Sequence, residues 1–211
     1  FSLRGVGAFF RDRNLMFLAL ADFAGVYAYF VVLQWGPTFF QTERGFGMLK
    51  SGFFTAIFAI PGPAGLVTGR LSDRLGRKRL SLVMLPLAGV CVLILPLIRS
   101  ETLVMLVLVA YALVGKLAWD PVVYAWAGDR VTTVHRGAVA GCMGIFASMA
   151  LSSAFVSPVV TGWIRDLTGS LAGGFYLARG LVLLGCLLLL VPAETVERPE
   201  RKSEPRREGQ Q

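Results

Sequence analysis

The chain has 211 residues, of which 55% are hydrophobic and only 16% charged, and it carries a formal net charge of +8. Soluble domains are about one-quarter charged, and here the apolar residues gather in blocks of the roughly 20 residues that a helix needs to cross a hydrocarbon core of about 30 Å. That excludes a water-soluble domain, and the positive charge, confined to connectors and a tail, reads as a rim biased toward one side of a bilayer and not as a nucleic-acid surface.

Residues 1–14 form a basic lead-in without an initiator Met or a signal-peptide pattern, as in a fragment of something longer. The first span is predicted at 15–36, ending in "QWGP", where Pro37 stops a helix and Trp35 suits an interface. A second span, 52–69, contains "IPGPAG", a kink that neighbouring helices must accommodate. Further spans are expected at 80–98, 103–126, 138–164 and 172–191. From Pro192 on, the chain is charged, Pro-containing and without anything to bury, so 192–211 is expected to be a disordered tail. Cys91, Cys142 and Cys186 all fall inside apolar blocks and fit no metal or disulfide spacing, so they read as small buried residues.

Numbering the polar segments alternately gives the orientation. Residues 1–14, 69–80, 128–137 and the tail carry fifteen Lys or Arg, whereas the other set holds only Arg44, Lys50, Arg99 and Arg165. Such a bias places both termini and the 69–80 connector in the cytoplasm.

That connector, "GRLSDRLGRKRL", holds five of the 21 basic residues. Its Gly69, Leu71, Asp73, Arg74, Gly76, Arg77, Lys78 and Arg79 resemble the G-x-L-x-D-R-x-G-R-K-R signature of the major facilitator superfamily, which lies after the second helix of a six-helix half. The chemistry suits the place. Gly65 and Gly69 permit close helix approach, Gly76 permits a sharp turn, Asp73 suits a helix N-terminus or a nearby cation, and the basic side chains anchor to anionic headgroups. "WGPTFFQTERGF" and "RGAVAGCMGIFASMALSSAFVSPVVTGWIRDLTGS" resemble the seventh and eleventh helices of members that move organic anions and related solutes. The resemblance implies an all-α integral membrane fold, helices seven to twelve of such a transporter in the plasma membrane. It further implies a missing amino-terminal half, a small-molecule substrate bound between the halves, and a cavity lined by the first and fourth helices of each half.

Ionisable groups inside spans are functional candidates by default. Asp22 lies in the first span, and Lys116 and Asp120 lie four residues apart on one face of the fourth. Counted from the cytoplasmic ends, the three lie about 9–15 Å deep. They suit a substrate or coupling-ion site, or equally a buried structural ion pair. Arg179 reads as snorkelling to an interface and His135 as a solvated loop residue. Asp73 is expected at the helix start near Arg136 or at its counterpart in the missing half. No nucleophile–base pair, metal cluster or phosphate loop is legible, so neither an enzyme nor a cofactor is expected; a six-helix scaffold without transport is the alternative reading.

Overall fold

The computed structural model describes residues 3–58 and 62–195. Residues 59–61, which include Ile60 and Pro61 of the expected kink, and 196–211 of the expected disordered tail lie outside the described residues.

A short amphipathic helix, α1 (Leu3–Arg11), precedes α2 (Arg13–Phe30). Between them Asp12 leaves the helical conformation, and its carboxylate accepts from the Asn14 and Leu15 N–H groups at 2.9 and 3.3 Å, an N-cap that starts the first long helix. That helix does not stop at Pro37. A π-turn over Val31–Trp35 leads directly into α3 (Gly36–Thr42), with Pro37 in its first turn, where no N–H is needed. The run therefore extends to Thr42 and not 36.

Next come α4 (Met48–Phe58) and α5 (Gly62–Leu75). After the turn at Gly76, α6 (Arg77–Ile94) closes in a 3₁₀ turn over Leu95–Leu97. The fourth predicted span proves to be two helices, α7 (Glu101–Val114) and α8 (Lys116–Val134), broken at Gly115. Helix α8 runs through the polar stretch taken from sequence as a connector, because Asp129 and Arg130 are each neutralised by a partner from another segment: Arg77 and Asp12, each at 2.9 Å. Helix α9 (Val139–Thr168) ends at Gly169, whose φ of 73° makes the left-handed C-cap that favours glycine, and α10 (Ala172–Leu188) follows.

Helix α2 is the spine of the bundle. It packs against α9 and α10, while α5 lies along α8 and α10 along α6. Lipid is as apolar as the helix faces, so close van der Waals fit must hold these contacts. Small residues supply it: a Cβ on Gly25 would meet the Trp119 ring at 3.0 Å, and one on Gly65 would meet the Leu117 carbonyl at 3.3 Å. Large apolar side chains such as Leu66, Val83, Leu106 and Phe155 point outward, as a lipid solvent requires. Among the described residues four helical runs are long and apolar enough to cross a bilayer, 13–42, 77–97, 101–134 and 136–168, and Ala172–Leu188 is a shorter apolar helix.

Candidate functional site

Gly115 interrupts the run 101–134 in mid-course with an extended backbone (φ −77°, ψ −163°). The break makes Lys116 the first residue of α8, where its charge opposes the positive end of the helix dipole. Two carboxylates offset this. Lys116 Nζ lies 2.7 Å from Asp22 Oδ1 on α2 and also contacts Asp120 Oδ1, one turn along α8. The structure thus brings all three sequence candidates together.

Their surroundings differ. The Asp22 side chain is 0% exposed and that of Lys116 6%, whereas Asp120 is 33% exposed. Asp22 Oδ2 has no hydrogen-bond partner among the described residues. The Lys116 ammonium also lies 5.6 and 5.9 Å from the ring centroids of Tyr124 and Trp119, and the Trp119 indole donates to Ser81 Oγ at 2.9 Å. With all three ionised, the cluster carries one surplus negative charge, and its open side is the Asp120 side. Such a group can exchange a proton, or let a second anion compete for Lys116.

The signature residues lie at one end of the bundle. Gly69 faces Pro121 of α8, where an added Cβ would make an ordinary van der Waals contact at 3.6 Å. Gly76 has φ 96°, a turn conformation that glycine alone adopts without strain. Arg77 is held by Asp129 at 2.9 Å and more loosely by Asp73 at 3.5 Å. Asp73 therefore does not reach the helix start near Arg136; its side chain is 66% exposed. Arg70, Arg74, Lys78 and Arg79 carry the rest of the positive charge of this segment; the three arginines are exposed and Lys78 is half-buried.

The start of α6 is capped by a residue absent from the sequence reading. Glu194 accepts from the Arg77 and Lys78 N–H groups, both at 3.0 Å. Lys78 Nζ in turn donates to the Leu190 carbonyl at 2.6 Å, and the Trp126 indole donates to the Ala193 carbonyl at 2.9 Å. Residues 192–195, assigned by composition to a disordered tail, are thus held on the signature turn. No local pattern links positions 77 and 194, so sequence reasoning had no signal to find the contact. A Cβ on Gly76 would sit 2.5 Å from Glu194 Oε2. Gly76→Ala is accordingly expected to destabilise the chain by about 1–3 kcal/mol, and Glu194→Ala by about 0.5–2 kcal/mol through loss of the cap. Thermal unfolding should show the double variant losing less than the sum of the two, because the clash goes with the carboxylate. Strict additivity would mean that the two residues do not touch.

A second cluster was also missed. Asp12 Oδ2 meets Arg130 Nε at 2.9 Å and His135 Nε2 at 3.1 Å, so His135 is a paired, largely buried residue and not a solvated one. Burial alone would raise the Asp12 pKa, but the hydrogen bonds from Arg130, His135 and the Leu15 N–H outweigh it, and the carboxyl titrates below its ordinary value of 3.8. A lowered folded-state pKa contributes stability that is complete above the unfolded value and lost as pH falls through the folded one. Stability of the wild type should thus fall as the medium is acidified below about pH 4. Asp12→Asn, which keeps the cap, should flatten that limb of a thermal-midpoint profile; an unchanged limb would show that Asp12 does not drive it.

Comparison with known proteins agrees with this architecture. The sequence profile described as Major Facilitator Superfamily matches residues 1–144 and, in an overlapping alignment, 62–210. A candidate tartrate transporter of Agrobacterium vitis is 31% identical over 190 residues, covering 87% of this chain and 42% of that protein. The hexuronate transporter of Bacillus subtilis is 29% identical over 201 residues, covering 86% and 45%. The crystal structure of a peptide transporter, POT (E310Q mutant) in complex with sulfate, superposes with a TM-score of 0.72 at 22% identity, over 83% of this chain and 37% of that one, which shows the shared fold. The chain spans less than half the length of the curated relatives it matches.

Proposed function

The chain belongs to the major facilitator superfamily, and from that premise we propose that it forms the carboxyl-terminal six-helix half of a secondary transporter for a small organic anion. It is a multi-pass membrane protein and not an enzyme; its curated relatives are named for transport. The observation that carries the reading is Lys116, a buried cation at a helix break, shared by a fully buried carboxylate and a partly open one. Broken helices near mid-membrane supply binding groups in transporters, and a buried charge that only held the fold would be cheaper to replace by apolar packing.

In this reading Asp22 is the permanent partner of Lys116 and Asp120 the exchangeable one. Asp22 Oδ2 can take up a proton without breaking a contact. A proton on the cluster neutralises its surplus charge, so that a substrate carboxylate can replace Asp120 on Lys116. Transport is then proton-coupled and proceeds by alternating access against a second six-helix half. The relatives' names suggest aldaric and uronic acids as first substrates to try. Uptake of labelled tartrate and of a hexuronate into proteoliposomes that hold this half together with its second six-helix half should be driven by an imposed inward proton gradient and fall to background when the gradient is collapsed. Uptake that ignores the gradient would overturn the coupling. Absence of uptake of any organic anion would favour the non-transporting scaffold.

The same proposal places six spans in the plasma membrane, with both termini and residues 69–80 on the cytoplasmic side. With the native cysteines replaced, Arg74→Cys should resist an impermeant thiol reagent in intact cells and react in inside-out vesicles. Labelling from outside would reverse the orientation.

A further inference from the structure

We propose that the pocket between the α1–α2 elbow and the end of α8 binds the headgroup of an anionic phospholipid. The pocket has a volume of about 250 Å³ and is lined chiefly by Arg11, Asp12, Arg13, Arg130 and His135. Its one carboxylate is already committed. Asp12 Oδ1 caps α2, Oδ2 holds Arg130 and His135, and the side chain is only 3% exposed. Arg11 and Arg13 stand exposed at the mouth, without an ion pair among the described residues. Three guanidinium groups therefore face one spent carboxylate, and the site carries positive charge that nothing in the described chain neutralises.

Depth selects the occupant. Asp12 caps the run 13–42, so the pocket lies where the first long apolar helix leaves the hydrocarbon, at headgroup level. Apolar side chains lie at the site: Val134, 47% exposed, is in the pocket lining, and Phe10, 57% exposed, directly precedes Arg11 on α1. Helix α1 is itself amphipathic and is fixed against α9, where a Cβ on Gly5 would meet Gly141 Cα at 3.0 Å. An amphipathic helix with aromatic and cationic residues at its end suits the interfacial plane. Arg13 lies with its guanidinium 5.1 Å from the Phe17 ring centroid, an arrangement that orients the group and leaves its N–H edge for an acceptor. A phosphodiester accepts from guanidinium groups at short range, and basic pockets between membrane helices are where acidic headgroups settle. A soluble anion would use the same cations but gain nothing from Phe10 and Val134.

The test uses the full chain in phosphatidylcholine nanodiscs doped with phosphatidylglycerol, with retained lipid counted by native mass spectrometry and thermal midpoints measured in parallel. Phosphatidylglycerol should be retained at least about tenfold in preference to phosphatidylcholine and should raise the midpoint, and the preference should shrink as salt is raised. Arg11→Gln with Arg13→Gln should reduce retention to the phosphatidylcholine level, and Arg11→Lys with Arg13→Lys should keep most of it. Full preference in the Gln pair, or a wild-type preference indifferent to salt, would overturn the site. Inorganic phosphate that reproduces the midpoint shift would equally overturn it, by assigning the pocket to a free anion.

Discussion

Lys116→Met is expected to destabilise the chain by about 3–5 kcal/mol, because it strands Asp22 as an unpaired buried carboxylate. The Asp22 side chain is fully buried, and its second oxygen has no donor among the described residues. The sequence alone suggests removing Lys116 together with Asp120, its neighbour on the same helix face. The structure shows that this pair is the wrong control, since Asp22 remains behind, uncompensated. The informative double variant is Lys116→Met with Asp22→Leu, which removes both fully enclosed charges and leaves only the partly open Asp120. Thermal unfolding followed with a thiol-reactive dye is well suited, because Cys91 and Cys142 are buried and free. The double variant should recover most of the stability lost by the single one. Uptake then separates the two accounts of the cluster. A structural ion pair predicts that transport returns with stability. The proposed site predicts a folded protein that reaches the membrane and carries nothing. Normal uptake by the double variant would refute the site and leave the fold untouched.

Gly115→Ala should cost about 1–3 kcal/mol, the range for forcing extra volume into a packed interior. A Cβ there would overlap the Tyr111 ring and approach the Tyr111 carbonyl to 2.6 Å. The ring has little room to yield, since Tyr111 is 3% exposed and makes further contacts of its own. Relief must come from the backbone at the break, and Lys116 is the next residue. Uptake should therefore fall by more than the loss of folded protein accounts for. Gly128→Ala is the matched control, inside α8 downstream of the break, with nothing within 4 Å of the added carbon. It should be neutral or stabilising by up to about 1 kcal/mol. Equal behaviour of the two variants would show that the break tolerates a side chain and does not position Lys116.

Both predictions depend on features with unequal traces in the sequence. The candidates Asp22, Lys116 and Asp120 were legible because a charged residue in an apolar block is conspicuous and expensive. The spacing of Lys116 and Asp120 put them on one helix face, but nothing local says that Asp22 on another helix completes the cluster. Gly115 looked like any other glycine in a membrane helix. Its break became visible only where Tyr111 is packed against it. Pro37 misled in the opposite direction: a proline normally ends a helix, yet a π-turn placed it in a fresh first turn and the helix ran on.

Sequence by itself determined that the chain lives in lipid, that it is all-helical, and that its signature connector lies between the second and third apolar blocks. These follow from local quantities: block length against bilayer thickness, the inventory of charge, and a spaced motif that needs only neighbouring residues. Tertiary structure alone decided that Asp73 stays open while Glu194 caps α6, that His135 is paired with Asp12, and that the first residues of the tail are clasped to the signature turn. The Glu194 cap and the His135–Asp12 pair join residues more than 100 positions apart and the Trp126–Ala193 contact residues 67 apart, whereas Asp73 meets Arg77 one turn away, whose other partner is Asp129 on α8. The physical reason is range. Hydropathy and helix chemistry act within a few turns, whereas a charge near the end of a bundle is satisfied by whichever segment the packing of the helices brings beside it.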